Sequence, residues 1–450
     1  MTALILDLRM DGFTEPIGNL VRDDRGALSF VYRAAHLAHP EAPPLSLSLP
    51  LTDEPYGDVI TRAFFDNLLQ ERDVALAQVM AREGLARHDV AGLLLHLGKD
   101  CPGAISVVPS GAPPVKTPGD LATDYDPLSD DELAAIVTAL RDRRRLPDVA
   151  ADPSPLAGVQ SKIALTVLPD GRFAQPKRGS GAPTTHILKV PNRDHPNDAI
   201  NEAASLALSR ALGVETVEAT TMDIGGIMVL VVRRFDRLPD HTGRIARLHQ
   251  EDFAQALGLP AELKYERRGK PERRFDAAAA RRVLDATSDP IGARDAFIGA
   301  TLFDLIISNV DAHAKNHALL HIGRGNIRLS PRYDLLPTRL DPNLTEEFAF
   351  LVGDAAKLDD VTTTDLETFL GIMGVATPAA RRRVARRHGT KLAEGLGGAL
   401  EALQARGMKQ FADLIAANLR HVLPLLDVSV PETARNRDAF VARGGGWLNS

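Results

Sequence analysis

The sequence predicts an α+β protein in which a strand-rich part precedes an all-helical part. Three observations predict it. Short apolar runs bounded by turn residues fill the chain up to about residue 250, helical periodicity dominates beyond it, and prolines and glycines concentrate from Pro109 to Pro127, marking a linker.

Taken in order, strands are expected at Leu4–Leu6 and, after the turn Asp23-Asp24-Arg25-Gly26, at Leu28–Val31. Helical periodicity follows in Ala63–Leu69 and Val90–Leu97, so residues 1–112 read as one α+β unit. Within 113–149, Ser129 and Glu132 form a capping box ahead of Leu133, Ile136 and Leu140, opening a helix that ends near the basic run Arg141–Arg145 and Pro147. Residues 150–250 read as strands with one helix. Ile163–Leu168 and Arg172–Ala174 flank the hairpin signal Pro169-Asp170-Gly171. Thr185–Val190 is followed by a helix over Ala199–Leu212, stopped by Gly213, and by strands at Thr216–Asp223 and Ile227–Arg233. From 251 to about 440 the periodicity is helical at Asp252–Leu257, Ala296–Ile307, Asp365–Met373, Ala379–His388 and Gly407–Leu425, with one strand at Leu319–Ile322. A strand-rich piece before a helical piece is the two-lobe pattern of kinase-like folds.

Composition narrows the function classes. The 450 residues are 44% hydrophobic and 25% charged, the make-up of a soluble globular protein. Lys plus Arg number 53 against 59 Asp plus Glu, so a net charge of −6 gives no whole-protein attraction to nucleic acid or membrane. The single cysteine, Cys101, excludes an intrachain disulfide framework and fits a reducing cytoplasm. Met1–Asp7 has no basic lead before its short apolar run and reads as a first strand, not a signal peptide; the longest apolar stretches, such as Ile224–Val232, are too short to span a bilayer. The expectation is a cytoplasmic protein.

Chemistry is suggested by Asp311 and Asn316, five residues apart, followed by Asp334. That is the order in which a kinase catalytic loop supplies its base and first metal ligand, with a second metal ligand on the next hairpin. An aspartate can take a hydroxyl proton, and an amide oxygen and a carboxylate are hard ligands suited to Mg²⁺. The same triplet alone also fits a loop with capped ends. Lys189 sits in the apolar strand Ile187–Val190 with Glu202 on the following helix, the pairing that handles phosphates in kinases, although an edge lysine facing solvent gives the same pattern. The small residues of Ala157-Gly158-Val159-Gln160-Ser161-Lys162 could bring backbone N–H groups to phosphates, or form an ordinary turn. Arg233-Arg234-Phe235 ends the last strand where an adenine could stack; a structural Phe beside an Asp236–Arg pair is the plain alternative. His313, His317 and His321, four apart, could share a helix face as metal ligands, but no Glu stands between them as a base.

Together the motifs resemble the HipA-type toxin kinases, bacterial serine/threonine kinases of type II toxin–antitoxin systems. The matching pieces are Pro44–Leu51, Phe64–Leu69, Leu97–Ala104, Ala157–Lys162, Ile187–Lys189, Val232–Arg237, Leu248–Asp252 and Asp311–Asn316, and the resemblance runs from about residue 1 to 430. It implies Asp311 as catalytic base, Asn316 and Asp334 holding Mg²⁺, and Lys189 on the phosphates of ATP. It also implies Ala157, Gly158, Val159, Gln160, Ser161 and Lys162 as the ATP loop, Arg233, Arg234 and Phe235 at the adenine, and His313, Lys315 and Tyr333 near the nucleotide. A small HipB-type helix-turn-helix antitoxin is the implied partner, with operator DNA contacted mainly through it. The implied substrate is a translation component, typically an aminoacyl-tRNA synthetase such as the glutamyl enzyme. A kinase-fold co-repressor and a small-molecule kinase are the alternatives.

The chain departs from the family where a self-phosphorylated serine is frequent: Pro155 stands there, with Ser154 one place earlier as a possible substitute. Ser161 and Arg233 also replace more usual residues. Two basic clusters, Lys264 to Arg274 and Arg381 to Arg387, fit either phosphate contact or a solvated surface.

Overall fold

The computed structural model describes residues 3–69, 74–142, 146–147 and 161–441. They form two compact units: one within Met1–Arg193, Thr220–Ala261 and Ala318–Arg328, the other within Asp194–Ala219, Glu262–His317 and Leu329–Ser450.

The first unit opens with a four-stranded antiparallel sheet in the order Leu28–Tyr32, Gly18–Arg22, Leu4–Met10, Ile105–Pro109. Leu28–Tyr32 alternates buried and half-buried residues, as a strand with one covered face should. Its core closes with Phe64 and Phe65 from the helix Asp58–Asp66 and Leu93 and Leu94 from Val90–Leu97. A second sheet has the order Tyr125–Pro127, Phe173–Pro176, Lys162–Val167, His186–Lys189, Ile227–Arg233, Ala219–Ile224. The expected capping box forms at Ser129 and Glu132, and the helix Asp130–Arg141 lays Leu133, Ile136 and Val137 against Ile163, Leu165 and Val229. The hairpin signal also holds: Leu168 N–H donates to Arg172 O at 2.9 Å, and Gly171 takes the left-handed φ of 87°.

One strand and one helix expectation shift. The strand expected from Thr216 begins at Ala219, because Thr216 bridges Arg332 and Val217 N–H donates to Arg332 O at 3.0 Å. The helix expected from Asp252 begins at Phe253, since His249–Asp252 is a strand paired with Ala318–His321. With Asn326–Leu329 this makes a three-stranded sheet. The part after residue 251 therefore carries a hairpin, where helices and a single strand were expected.

The second unit is built from the helices Asp198–Ala211, Ala277–Asp285, Pro290–Ile307, Thr363–Ile372, Pro378–Ala405 and Lys409–Leu425. Pro378–Ala405 runs well past His388 because Leu392, Leu396, Leu400 and Leu403 extend its buried stripe. Lys409–Leu425 packs on both Pro378–Ala405 and Pro290–Ile307. Among the described residues no helix is long and apolar enough to cross a membrane.

Candidate active site

The helix Pro290–Ile307 delivers the central loop. Asp289 caps its start, accepting from Gly292 N–H at 3.0 Å, and Ser308 ends it in the left-handed region at φ 55°. That unusual backbone is held from outside. Thr338 donates to Ser308 O through its N–H (3.1 Å) and its hydroxyl (2.8 Å), and Asn418 Nδ2 donates to Ile306 O and Ser308 Oγ, both at 2.8 Å. One turn back, buried Asp304 accepts from Asn309 Nδ2 at 3.0 Å and forms a forked pair with Arg332 Nη2 at 2.8 and 2.9 Å. Arg332 in turn donates its N–H to Glu215 O at 2.8 Å. The segment leading into Tyr333 and Asp334 is thus tied to the helix that leads into Asp311.

Asp311 is half-buried, and Tyr265 Oη donates to its Oδ1 at 2.6 Å. Burial pushes the Asp311 carboxyl above its ordinary pKa; the Tyr265 hydrogen bond opposes this, and the nearby Asp334 carboxylate adds to it. Asn316 Nδ2 donates to Asp311 O at 2.8 Å, and because a carbonyl only accepts, the amide oxygen of Asn316 must point the other way. Asp334 takes φ 59°, and Tyr333 Oη donates to Lys315 O at 2.9 Å. His313 is buried with its ring edge-on to Tyr265 at 5.1 Å, and burial, then the Lys264 charge, push its pKa down to about 3, so the ring is neutral. The unit thus gathers Asp311, His313, Lys315, Asn316, Tyr333 and Asp334 around one loop. A base, an outward amide oxygen and a second carboxylate are together what phosphoryl transfer to a hydroxyl requires.

In the first unit, Lys189 is buried on an internal strand, not at a sheet edge, and stands directly opposite Lys162 in the register. Arg233 is exposed at its strand end and Phe235 half-buried. Arg234 is buried, its guanidinium forked onto Asp236 at 3.0 Å, with Arg237 on the same carboxylate at 2.8 Å. Ser161 is half-buried at the head of the Lys162 strand. The expectations for Ser154, Ala157, Gly158, Val159 and Gln160 lie outside the described residues.

The histidines do not share a helix. His313 precedes and His317 follows the short turn Ala314–Asn316, and His321 lies on a strand. His317 Nε2 donates to Ala312 O at 3.2 Å, and His321 meets Glu251 at 2.8 Å. Among the described residues no three His, Cys, Asp or Glu are grouped to hold a metal ion. Mg²⁺ asks for less, since one or two protein oxygens suffice when substrate phosphates supply others. The Asn316 amide oxygen and the Asp334 carboxylate are the oxygens of this loop that could supply them. Sequence reasoning missed Tyr265 and the Asp304–Arg332 pair; an aromatic inside the basic run Lys264 to Arg274 was the available signal for the first.

The strand-rich section, the helical section and the acid–amide–acid loop define a kinase-like fold. The family model of the HipA-like C-terminal domain matches residues 154–395, and that of the HipA N-terminal domain matches residues 7–108. The chain belongs to the HipA family of toxin kinases. It is 35% identical to the kinase-named protein Y4mE of Sinorhizobium fredii over 85% of this chain and 89% of that one. It is 27% identical to the serine/threonine-protein kinase toxin HipA of Shewanella oneidensis over 74% of this chain and 75% of the toxin. A solved complex of Shewanella oneidensis HipA with HipB and operator DNA shares the fold, with a TM-score of 0.72 at 23% identity, covering 96% of this chain and 100% of the other.

Proposed function

We propose that this protein is an ATP- and Mg²⁺-dependent serine/threonine kinase acting as the toxin of a toxin–antitoxin pair. The observation that carries the proposal is the Asp311, Asn316 and Asp334 arrangement within one unit of a HipA-family chain. Asp311 orients an acceptor hydroxyl and takes its proton. Its raised pKa makes it a stronger base than an exposed aspartate, while Tyr265 keeps the carboxylate directed. Asn316 and Asp334 would hold Mg²⁺, which when bound neutralises charge on the transferring phosphoryl group. Lys162 and Lys189 take the nucleotide phosphates, Arg233 to Phe235 border the adenine, and His313, Lys315 and Tyr333 lie beside the nucleotide. The segment Ala157 to Lys162 would supply the phosphate loop.

The Shewanella oneidensis complex with HipB and operator DNA supports a HipB-type antitoxin as partner and DNA contact through it. The substrate is a translation component, an aminoacyl-tRNA synthetase such as the glutamyl enzyme. Pro155 has no hydroxyl, so self-inactivation at that position is chemically impossible and Ser154 is the nearest alternative acceptor.

The test is transfer of label from γ-labelled ATP to proteins of a cell lysate. Wild type labels a discrete protein; Asp311→Ala and Asp334→Ala lower the rate by about 10²-fold or more. If wild type labels nothing while its antitoxin complex still shifts operator DNA, the kinase reading fails and a co-repressor remains. Turnover that only a metabolite stimulates would make it a small-molecule kinase.

A further inference from the structure

Tyr265 occupies a place that the proposed reaction needs. Its hydroxyl donates to Asp311 Oδ1 at 2.6 Å, which is the contact an acceptor hydroxyl must make with that base. An incoming serine or threonine therefore binds at the edge of the Tyr265 ring, and the residues next to it pass over what surrounds that ring. Three cations do. Arg267 lies 4.3 Å, Arg268 5.3 Å and Lys264 5.5 Å from the ring centroid. Lys264 is buried, while Arg267 and Arg268 are exposed.

The platform is fixed. Lys264 O accepts from Ala314 N–H at 3.1 Å, joining it to the loop that carries Asp311. Buried Glu266 donates its N–H to Ala349 O at 2.8 Å and accepts from Leu351 N–H at 2.7 Å through its carboxylate, with Arg274 at 3.5 Å. Arg267 approaches exposed Glu347 at a long 3.8 Å and donates to Phe348 O at 3.2 Å. Among the described residues no carboxylate is paired with Arg268.

We infer that Tyr265, Arg267 and Arg268 form an acceptor-side subsite that selects protein segments carrying carboxylates within a few residues of the phosphorylated hydroxyl. The inference rests on reading Asp311 as the acceptor-side base. An extended segment advances about 3.3 Å per residue, so side chains one to three places from the hydroxyl reach the two guanidinium groups. Guanidinium forks match carboxylates two bonds at a time, and a rim of one sign both attracts acidic segments and repels basic ones. A polypeptide is favoured over nucleic acid because the cations sit beside the acceptor position itself, and the chain as a whole, at net charge −6, does not attract a polyanion.

The experiment uses the full chain and three peptides, each with one serine, flanked within three residues by Asp and Glu, by Asn and Gln, or by Lys. Label transfer from ATP and binding by fluorescence anisotropy are read side by side, for wild type and for Arg267→Glu/Arg268→Glu. Both replaced residues are exposed, so the double variant should fold; circular dichroism checks this. Wild type should favour the acidic peptide over the neutral one by about tenfold, mainly in KM, and the double variant should reverse the order in favour of the Lys peptide. Equal use of acidic and neutral peptides, or a preference that survives charge reversal, overturns the subsite and leaves the kinase reading standing. Acid-selective binding that charge reversal inverts, with no label transferred to any peptide, sinks the kinase reading and with it the acceptor-side role of these residues, leaving only an acid-binding surface. Displacement of the acidic peptide by a single-stranded RNA oligomer at lower concentration than by the peptide itself would assign the surface to RNA and overturn the proposal.

Discussion

At the scale of single residues, Tyr265 and Asp311 set how readily the candidate base holds a proton. Burial and the Asp334 charge favour the protonated carboxyl, and the Tyr265 hydrogen bond favours the carboxylate. Tyr265→Phe removes the largest of the influences that favour the carboxylate and leaves the weaker ones of Lys264 and Arg267, so the Asp311 pKa rises. Because the base works deprotonated, the acidic limb of kcat/KM moves to higher pH. A hydrogen bond of about 1 kcal/mol corresponds to a displacement of roughly half to one pH unit. The limb is read from peptide phosphorylation at saturating ATP; a profile unmoved or displaced to lower pH contradicts the role given to Tyr265. Both acids were candidates in the sequence only once the wider set of motifs stood beside their spacing, which alone fits a capped loop equally well. Tyr265 was not, since it comes to Asp311 from 46 positions away.

At the scale of elements, the pair Asp304–Arg332 joins the helix Pro290–Ile307 to the segment that carries Asp334. Both side chains are nearly buried, at 8% and 9% exposure, so neither charge has water to fall back on. Asp304→Ala leaves the Arg332 charge buried and uncompensated and should cost about 3–5 kcal/mol, whereas replacing both by leucine should cost much less. Urea denaturation of the two variants decides; a double variant as unstable as the single one would show that shape, not charge pairing, matters there. Helices and their caps were largely legible, as at Ser129–Glu132, because their signals are local. The strand His249–Asp252 was not. Its partner Ala318–His321 lies some seventy residues on, and Asp252 both ends that strand and caps the helix Phe253–Ala256, so only the helical signal shows in the sequence.

At the scale of the whole molecule, each unit keeps a neutral histidine in its interior, and this couples folding to pH. In the first unit, His249 donates through Nε2 to Leu45 O at 2.7 Å and lies 5.1 Å from the His321 ring; burial, then His321, push its pKa down to about 3. In the second, burial holds His317 well below its ordinary value. An unfolded chain protonates such residues near pH 6.5, while the folded chain does not until far lower. Their contribution is therefore complete above about pH 6.5 and is lost as pH falls below it. Each gives a slope of up to about 1.4 kcal/mol per pH unit. Guanidinium midpoints should be level from pH 8 to 7 and fall from 6.5 to 5. His249→Gln, whose amide can still donate to Leu45 O, should remove roughly one proton from the slope in the transition of the unit that contains it. A stability that stays flat or rises down to pH 5 would mean that these rings reach water in the folded protein, which their burial in the two interiors rules against.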